Sequence, residues 1–416
     1  MLKVNPLAVA VPFFFLLIGV ELAVARRRGV RVHRFSDSLS DLSCGVLQQL
    51  SGVFVSGALL ALYSHVHANH ALFELPASSP VTWLVAFFGM DFVFYWWHRA
   101  SHRVSFFWAA HVTHHSSEDF NLAVALRQSA FTGLTFFPFY LPLALVGVPA
   151  PVFALIAAFS LLYQFWLHTE LLGRWPRFER IFNSPSAHRV HHGVNPEYLD
   201  TNYGGTLIIW DRLFGTYVPE RAPVVYGLVH PLRSFNPVWA QVHHYVALAK
   251  RSLQAPRLGD KLRVWVKGPE WNVPGLPAEG PPPEVDRDRV AKFDVPLPRA
   301  LVAYLAAQFF TFVLVGTTAM MQWGPGLPLS AKVGASAALL FTLLTFGGLL
   351  DGSRWALPLE RLRLLVLGGA GAALLAPHSL TAALAAGILS TLLLLATFAL
   401  RRAGMPTAAA NAATSS

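Results

Sequence analysis

Long apolar stretches alternating with short polar ones dominate this chain. Crossing a bilayer takes about 20 apolar residues, with some latitude. Nine stretches approach that length, near residues 6–25, 44–65, 81–97, 130–148, 151–167, 299–321, 331–350, 363–377 and 379–400. The fourth and fifth predict a tight helical hairpin turned at Pro149 and Pro151. Residues 168–298 form the longest polar section, rich in Pro and Gly around 273–283, and predict a cap that ends in an irregular linker. Residues 299–400 form a further apolar unit whose many small residues allow close helix approach. The Ala, Ser, Thr and Asn tail from Ala408 predicts disorder. The pattern predicts an all-α integral membrane protein: a multi-span helical bundle, a histidine-rich cap and an additional C-terminal helical bundle. It divides the chain into spans at 1–80, a core at 81–245, a linker or cap at 246–298, a C-terminal bundle at 299–402 and a tail at 403–416. No internal repeat is visible.

Composition agrees with this class. Only 13% of the 416 residues are charged against 54% hydrophobic, and the mean hydropathy is +0.46. A soluble chain of this size needs more charge to cover its surface. The net charge of +10 does not indicate nucleic acid, because the basic residues flank apolar spans. They cluster at Arg26 to Arg34, at Arg99 and Arg103, through 174–298, at 354–363 and at Arg401 and Arg402, whereas the loops at 66–80, 148–151, 322–330 and 377–379 have almost none. With nine spans this positive-inside pattern sets the N-terminus outside and the C-terminus, with the cap, in the cytosol. In a bacterium the membrane would be the cytoplasmic (inner) one. Arg26-Arg27-Arg28 after the first apolar run marks a retained span rather than a cleaved signal. The single Cys44 excludes an internal disulfide, a cysteine-based zinc site and a thiolate-held iron–sulfur cluster.

The chemistry lies in the histidines. Eight of the 17 fall into three spaced clusters, His98-x-x-x-His102, His111-x-x-His114-His115 and His188-x-x-His191-His192. Residues three and four apart share a helix face, so each cluster aims two or more imidazoles at one point. Isolated histidines often end helices or act as pH-sensitive groups. Eight at a water–lipid boundary, with too few carboxylates to pair them, point instead to shared metal. That number exceeds one ion's need, so two ions are expected. Imidazole suits iron, zinc, copper and nickel alike; a closed structural zinc site commonly includes Cys. His33, His65, His67, His70, His243, His244 and His378 show no partner pattern, with His65, His67 and His70 in an outer loop. Trp96, Trp97 and Trp108 read as interfacial anchors. Asn202-Tyr203-Gly204-Gly205 lacks the strand–Gly–helix context of a phosphate loop, and no nucleotide or flavin fingerprint appears.

At these clusters the chain resembles the fatty acid hydroxylase/sterol desaturase superfamily of membrane di-iron enzymes, and within it alkylglycerol monooxygenase-like proteins. The supporting stretches are His111 to Asn121, Ala125-Leu-Arg-Gln-Ser129, Gln164 to Glu170, Ser184 to Gly193, Asn202 to Thr216 and Tyr226 to Pro231. They cover roughly residues 85–240, and Arg103 and Ala187 depart from the pattern. The resemblance implies that the eight histidines are metal ligands, with His168 as a ninth; His230 is a weaker candidate. Glu118, Asp119 and Asn121 would orient ring N–H groups from behind. It implies two iron ions, which zinc can replace in isolated protein, and an external reductant, either tetrahydrobiopterin or a redox-partner protein. Dioxygen and a lipid from the bilayer would be the substrates of a monooxygenase or hydroxylase, with ether-lipid cleavage one outcome. A lipid or sterol desaturase is the alternative enzyme, and a non-enzymatic metal-binding membrane protein the other reading. The last is disfavoured because the early spans carry only Glu21 and Asp91 as ionisable groups.

Overall fold

The computed structural model describes residues 6–277 and 290–402. The expected tail at 403–416 and the linker from residue 278 to 283 lie outside the described residues. Among the described residues the fold is all-helical, with isolated bridges at Phe182 with Leu207 and at Gly193 with Tyr226. It forms two compact units, residues 1–232 with 240–292, and residues 233–239 with 293–416.

The first unit contains α1 (Pro6–Arg27), α2 (Phe35–His70), α3 (Pro80–Arg103), α4 (Ser105–His115), α5 (Thr132–Val146), α6 (Ala150–Phe165), α7 (Pro185–His191) and α8 (Ile209–Leu213). α10 (Leu258–Val266) and most of α9 (Pro237–Gln254) belong to it as well. Its main apolar core joins α2, α3, α5 and α6 through Tyr63, Met90, Phe94, Trp97, Phe137, Tyr140, Leu143 and Val152. The hairpin between α5 and α6 turns where predicted. Gly147 closes α5 at φ +109, a conformation that favours glycine, and Pro149 precedes α6. A Cβ on Gly147 would strike the Phe73 carbonyl.

α2 begins nine residues before the expected span and runs for 36 residues, about 54 Å at helical rise. The added turns hold Asp37 and Asp41, polar residues that look like loop until their buried partners, Arg34 and Arg127, are seen. Gly45 lets α2 come so close to Leu126 that a Cβ there would strike its carbonyl. At its other end α2 carries His65, His67 and His70, which are helical rather than in a loop, and the His67 Nε2–H donates to the Gly147 carbonyl at 3.2 Å.

The second unit contains α11 (Arg299–Gln308), a π-helical turn (Phe309–Leu314), α12 (Val315–Trp323), α13 (Leu329–Leu350), α14 (Ala356–Leu375) and α15 (Leu380–Arg402). It buries an ionic network that sequence reading missed. Glu360 accepts from Arg363, Tyr304, Gln308 and Thr345, and Arg363 also reaches Gln308 and Thr342. A buried pair bonded this fully specifies packing without leaving an unpaired charge in an apolar bundle.

Helices form at all nine expected positions, but five are long and apolar enough to cross a membrane: Leu7–Arg27, Phe35–His70, Arg299–Gly326, Leu329–Leu350 and Leu380–Leu400. The other four expected spans, α3, α5, α6 and α14, fall short of that length or hydropathy. α5 and α6 have 15 and 16 residues, short of the roughly 30 Å hydrocarbon layer. α3 is diluted by Asp91, Tyr95 and its histidines, and α14 by Glu360, Arg361 and Arg363.

Candidate metal centre

Nine buried histidines sort into two groups. The ligand-capable nitrogens of His98, His102, His111, His115 and His191 lie within 4.8 Å of one another, and so do those of His114, His168, His188 and His192. Helical geometry explains the sorting. At about 100° per residue, the first and last histidines of H-x-x-H-H stand about 40° apart, whereas the middle one is displaced to the other side, about 60° from the first and about 100° from the last. On α4, His111 and His115 enter the five-membered group and His114 enters the other. On α7 and its cap the assignment is reversed: His188 and His192 enter the four-membered group and His191 the five. α3 adds His98 and His102, and the segment after α6 adds His168. His230 is exposed and in neither group.

The spacings suit ions. The His98 and His111 Nε2 atoms are 2.9 Å apart, His111 and His115 3.1 Å, His114 and His168 3.2 Å, and His168 and His188 3.0 Å. Two ligands at right angles around an ion, each at roughly 2.0–2.1 Å, stand about 3 Å apart. The Nε2 atoms of His102, His191 and His192 are buried without a hydrogen-bond partner, an arrangement that is costly unless something else satisfies them. Burial, helped in most cases by neighbouring rings, holds His111, His115, His168, His188 and His192 well below the ordinary imidazole value. Burial likewise brings His114 to about 4 and His191 to about 3. These rings are neutral at neutral pH, with a lone pair free to ligate. The donor set therefore fits two imidazole-loving ions, one with five nitrogens and one with four.

Backbone carbonyls aim the rings. The Nδ1–H groups of His98 and His191 donate to the carbonyls of Tyr203 and Thr201, at 2.8 and 2.9 Å. Those of His114 and His168 donate to Arg127 and Gln164, at 3.0 and 2.9 Å. Two carboxylates clamp the segment that carries Thr201 and Tyr203. Asp211 accepts from the backbone N–H of Tyr203 and Gly204, and Asp91 from those of Thr206 and Leu207 and from the Trp210 indole. Asp200 and Asn202 take left-handed backbone, φ +59 and +57, a local cost borne on both sides of the Thr201 carbonyl. Asn202 is fixed there by bonds to Ala187 and Val218. Asp91 is thus a structural clamp, and Glu21 another: it accepts from His33, Thr169 and the Leu122 N–H. Arg103 pairs with Asp200.

Other expected roles shift. Asp119 accepts from Arg34 and Lys292, Asn121 donates to the Val32 carbonyl, and the Glu118 N–H donates to Asp37. The bonds to Val32, Arg34 and Asp37 tie the loop after α4 to the entry of α2, and the bond from Lys292 holds Asp119 from another side. Trp97 is buried in the core with its ring against His98 and His111, and Trp108 packs on His102 and His115. Both wall the five-histidine group, and Trp97 lies in the core rather than at an interface; Trp96 remains partly exposed. Sequence reading missed Asp91, Arg127, Tyr203 and Asp211 as supports. One signal was available: Asp91 lies seven residues, two turns, before His98 on the same face of an apolar helix.

Comparisons with known proteins follow the same lines. The fatty acid hydroxylase family profile matches residues 83–216. An alkylglycerol monooxygenase of Xenopus tropicalis is 46% identical over 276 residues, 66% of this chain and 61% of that protein. Those of Homo sapiens and Danio rerio are 40% and 37% identical, each over 86% of this chain and 80% of the relative. No solved structure matches the chain.

Proposed function

We propose, from the premise that the chain belongs to the alkylglycerol monooxygenase family, that it is an integral-membrane lipid monooxygenase working through two iron ions held by nine histidines. The observation that carries this reading is the division of nine buried imidazoles into a five and a four around two points. His98, His102, His111, His115 and His191 would hold one ion, and His114, His168, His188 and His192 the other. Iron so held would supply activation of dioxygen: one oxygen atom would enter a C–H bond of the lipid and the other would leave as water, with two electrons from a pterin or a redox-partner protein and two protons. The chain's own residues keep the ligand rings neutral by burial, fix their tautomers through the Thr201, Tyr203, Arg127 and Gln164 carbonyls, and wall the site with Trp97 and Trp108. Hydroxylation at a carbon beside an ether oxygen would give a hemiacetal that collapses to an aldehyde and an alcohol, so an alkylglycerol is the proposed substrate.

The test is labelled oxygen. Protein in lipid nanodiscs, given an alkylglycerol, tetrahydrobiopterin and 18O2, is expected to release an aldehyde carrying one label. Formation of a new double bond without label would identify a desaturase; absence of any oxygen-dependent product would remove the reading.

The basic flanks support a site that faces the cytosol. Labelling from outside intact cells is expected to modify a cysteine placed at Ser78 and to miss one at Glu197; both positions are exposed. The native Cys44 is buried and keeps the background low. Modification at Glu197 from outside would reverse the orientation.

A further inference from the structure

α10 presents the wrong face to water. Leu258, Leu262 and Val266 recur every fourth residue on its outer side and are 77, 66 and 62% exposed, and Leu253 at the end of α9 is 78% exposed. The inner side is already occupied: Val264 packs with Ala109 of α4, Leu248, Ala255 and Val273. The outer aliphatic row, about 12 Å long at helical rise, therefore has no room to turn inward and needs a partner from outside.

Charge identifies that partner. Residues 250–267 contain six basic side chains and one acid, Asp260; that acid is buried and bonded to Arg263. Arg257, Arg263 and Lys267 are exposed beside the aliphatic row. An apolar stripe edged by cations is the pattern of a helix lying in a membrane interface, with aliphatic side chains among acyl chains and cations on anionic headgroups. A second copy of the chain would bring an equally basic patch against this one and be repelled.

We propose that α10 and the end of α9 lie in the plane of the bilayer, with Leu253, Leu258, Leu262 and Val266 in the acyl boundary and Arg257, Arg263 and Lys267 on anionic lipid headgroups. Because α10 packs on α4, and its neighbour Lys267 accepts from the Ser105 N–H through its carbonyl, this contact sets the depth at which His111, His114 and His115 meet the lipid. The inference rests on the chain being a membrane protein and not on its being an oxygenase.

A nitroxide on Leu262→Cys, in full-length protein in nanodiscs, tests it by collision with oxygen, which prefers lipid, and with a water-soluble nickel chelate. The label at 262 is expected to favour oxygen, and one on Glu197→Cys to favour nickel. Adding phosphatidylglycerol to phosphatidylcholine should deepen the 262 label, and Arg257→Gln, Arg263→Gln and Lys267→Gln together should remove that gain. Nickel access at 262 equal to that at 197 would overturn the proposal, and protection from both reagents would overturn it in favour of a protein partner. No response to phosphatidylglycerol would overturn the headgroup contact.

Discussion

Replacing His111 by alanine is expected to abolish turnover and to cost the protein at least one of its two metal ions. Its Nε2 lies 2.9 Å from that of His98 and 3.1 Å from that of His115, so its removal opens the middle of the five-histidine group. The other rings stay buried and neutral but lose a ligand that no nearby side chain replaces. The effect should exceed the roughly 10–100-fold loss typical of residues that only orient ligands. His67→Ala, which touches the Gly147 carbonyl instead, should leave turnover near wild type. Wild-type turnover and metal content in His111→Ala would remove the two-ion account.

The largest expected effect from a residue outside the ligand set is at Arg127. Its buried guanidinium donates to the Thr113 carbonyl, Ser116, Ser40 and Asp41, while its own carbonyl receives the His114 ring. Arg127→Ala leaves Asp41 as a buried carboxylate with no cation at its Oδ1, a loss of about 3–5 kcal/mol for a broken buried pair. A buried carboxylate left without its cation favours the neutral form, so the orphaned group would take up a proton and recover part of that loss. The substitution also frees the carbonyl that aims His114. The expected result is a lower melting temperature in detergent together with selective loss of metal from the four-histidine group. Arg127→Lys should keep the ion pair with Asp41 and recover part of the stability. An Arg127→Ala protein with wild-type melting and two ions would show that the guanidinium supports neither.

The helices and eight of the nine histidines are legible in the sequence because both follow from local periodicity, whereas His168, outside any cluster, is pointed to only by the family resemblance. Apolar runs mark α1, α2 and the C-terminal helices, and the i, i+3, i+4 spacings mark the clusters. Which histidine joins which ion is not local. His114 and His191 leave their own cluster-mates for the opposite group, and that exchange depends on how α3, α4 and α7 are placed. The carbonyls of Thr201, Tyr203, Arg127 and Gln164 are equally invisible beforehand, since every residue carries one. Asp37 and Asp41 resemble loop residues because an acid at a helix entry is ordinarily solvated; only their burial with Arg34 and Arg127 shows otherwise. For Trp97 the aromatic-belt rule does not distinguish a ring at an interface from one filling a core, where this ring lies.

The central claim, that the two histidine groups each hold a metal ion, is tested most directly by elemental analysis of protein purified without chelators. Two ions per chain are predicted, with iron in the active preparation; zinc in place of some iron leaves the claim intact, since imidazole binds both. One ion per chain or fewer, in protein that is fully folded and active, would contradict it.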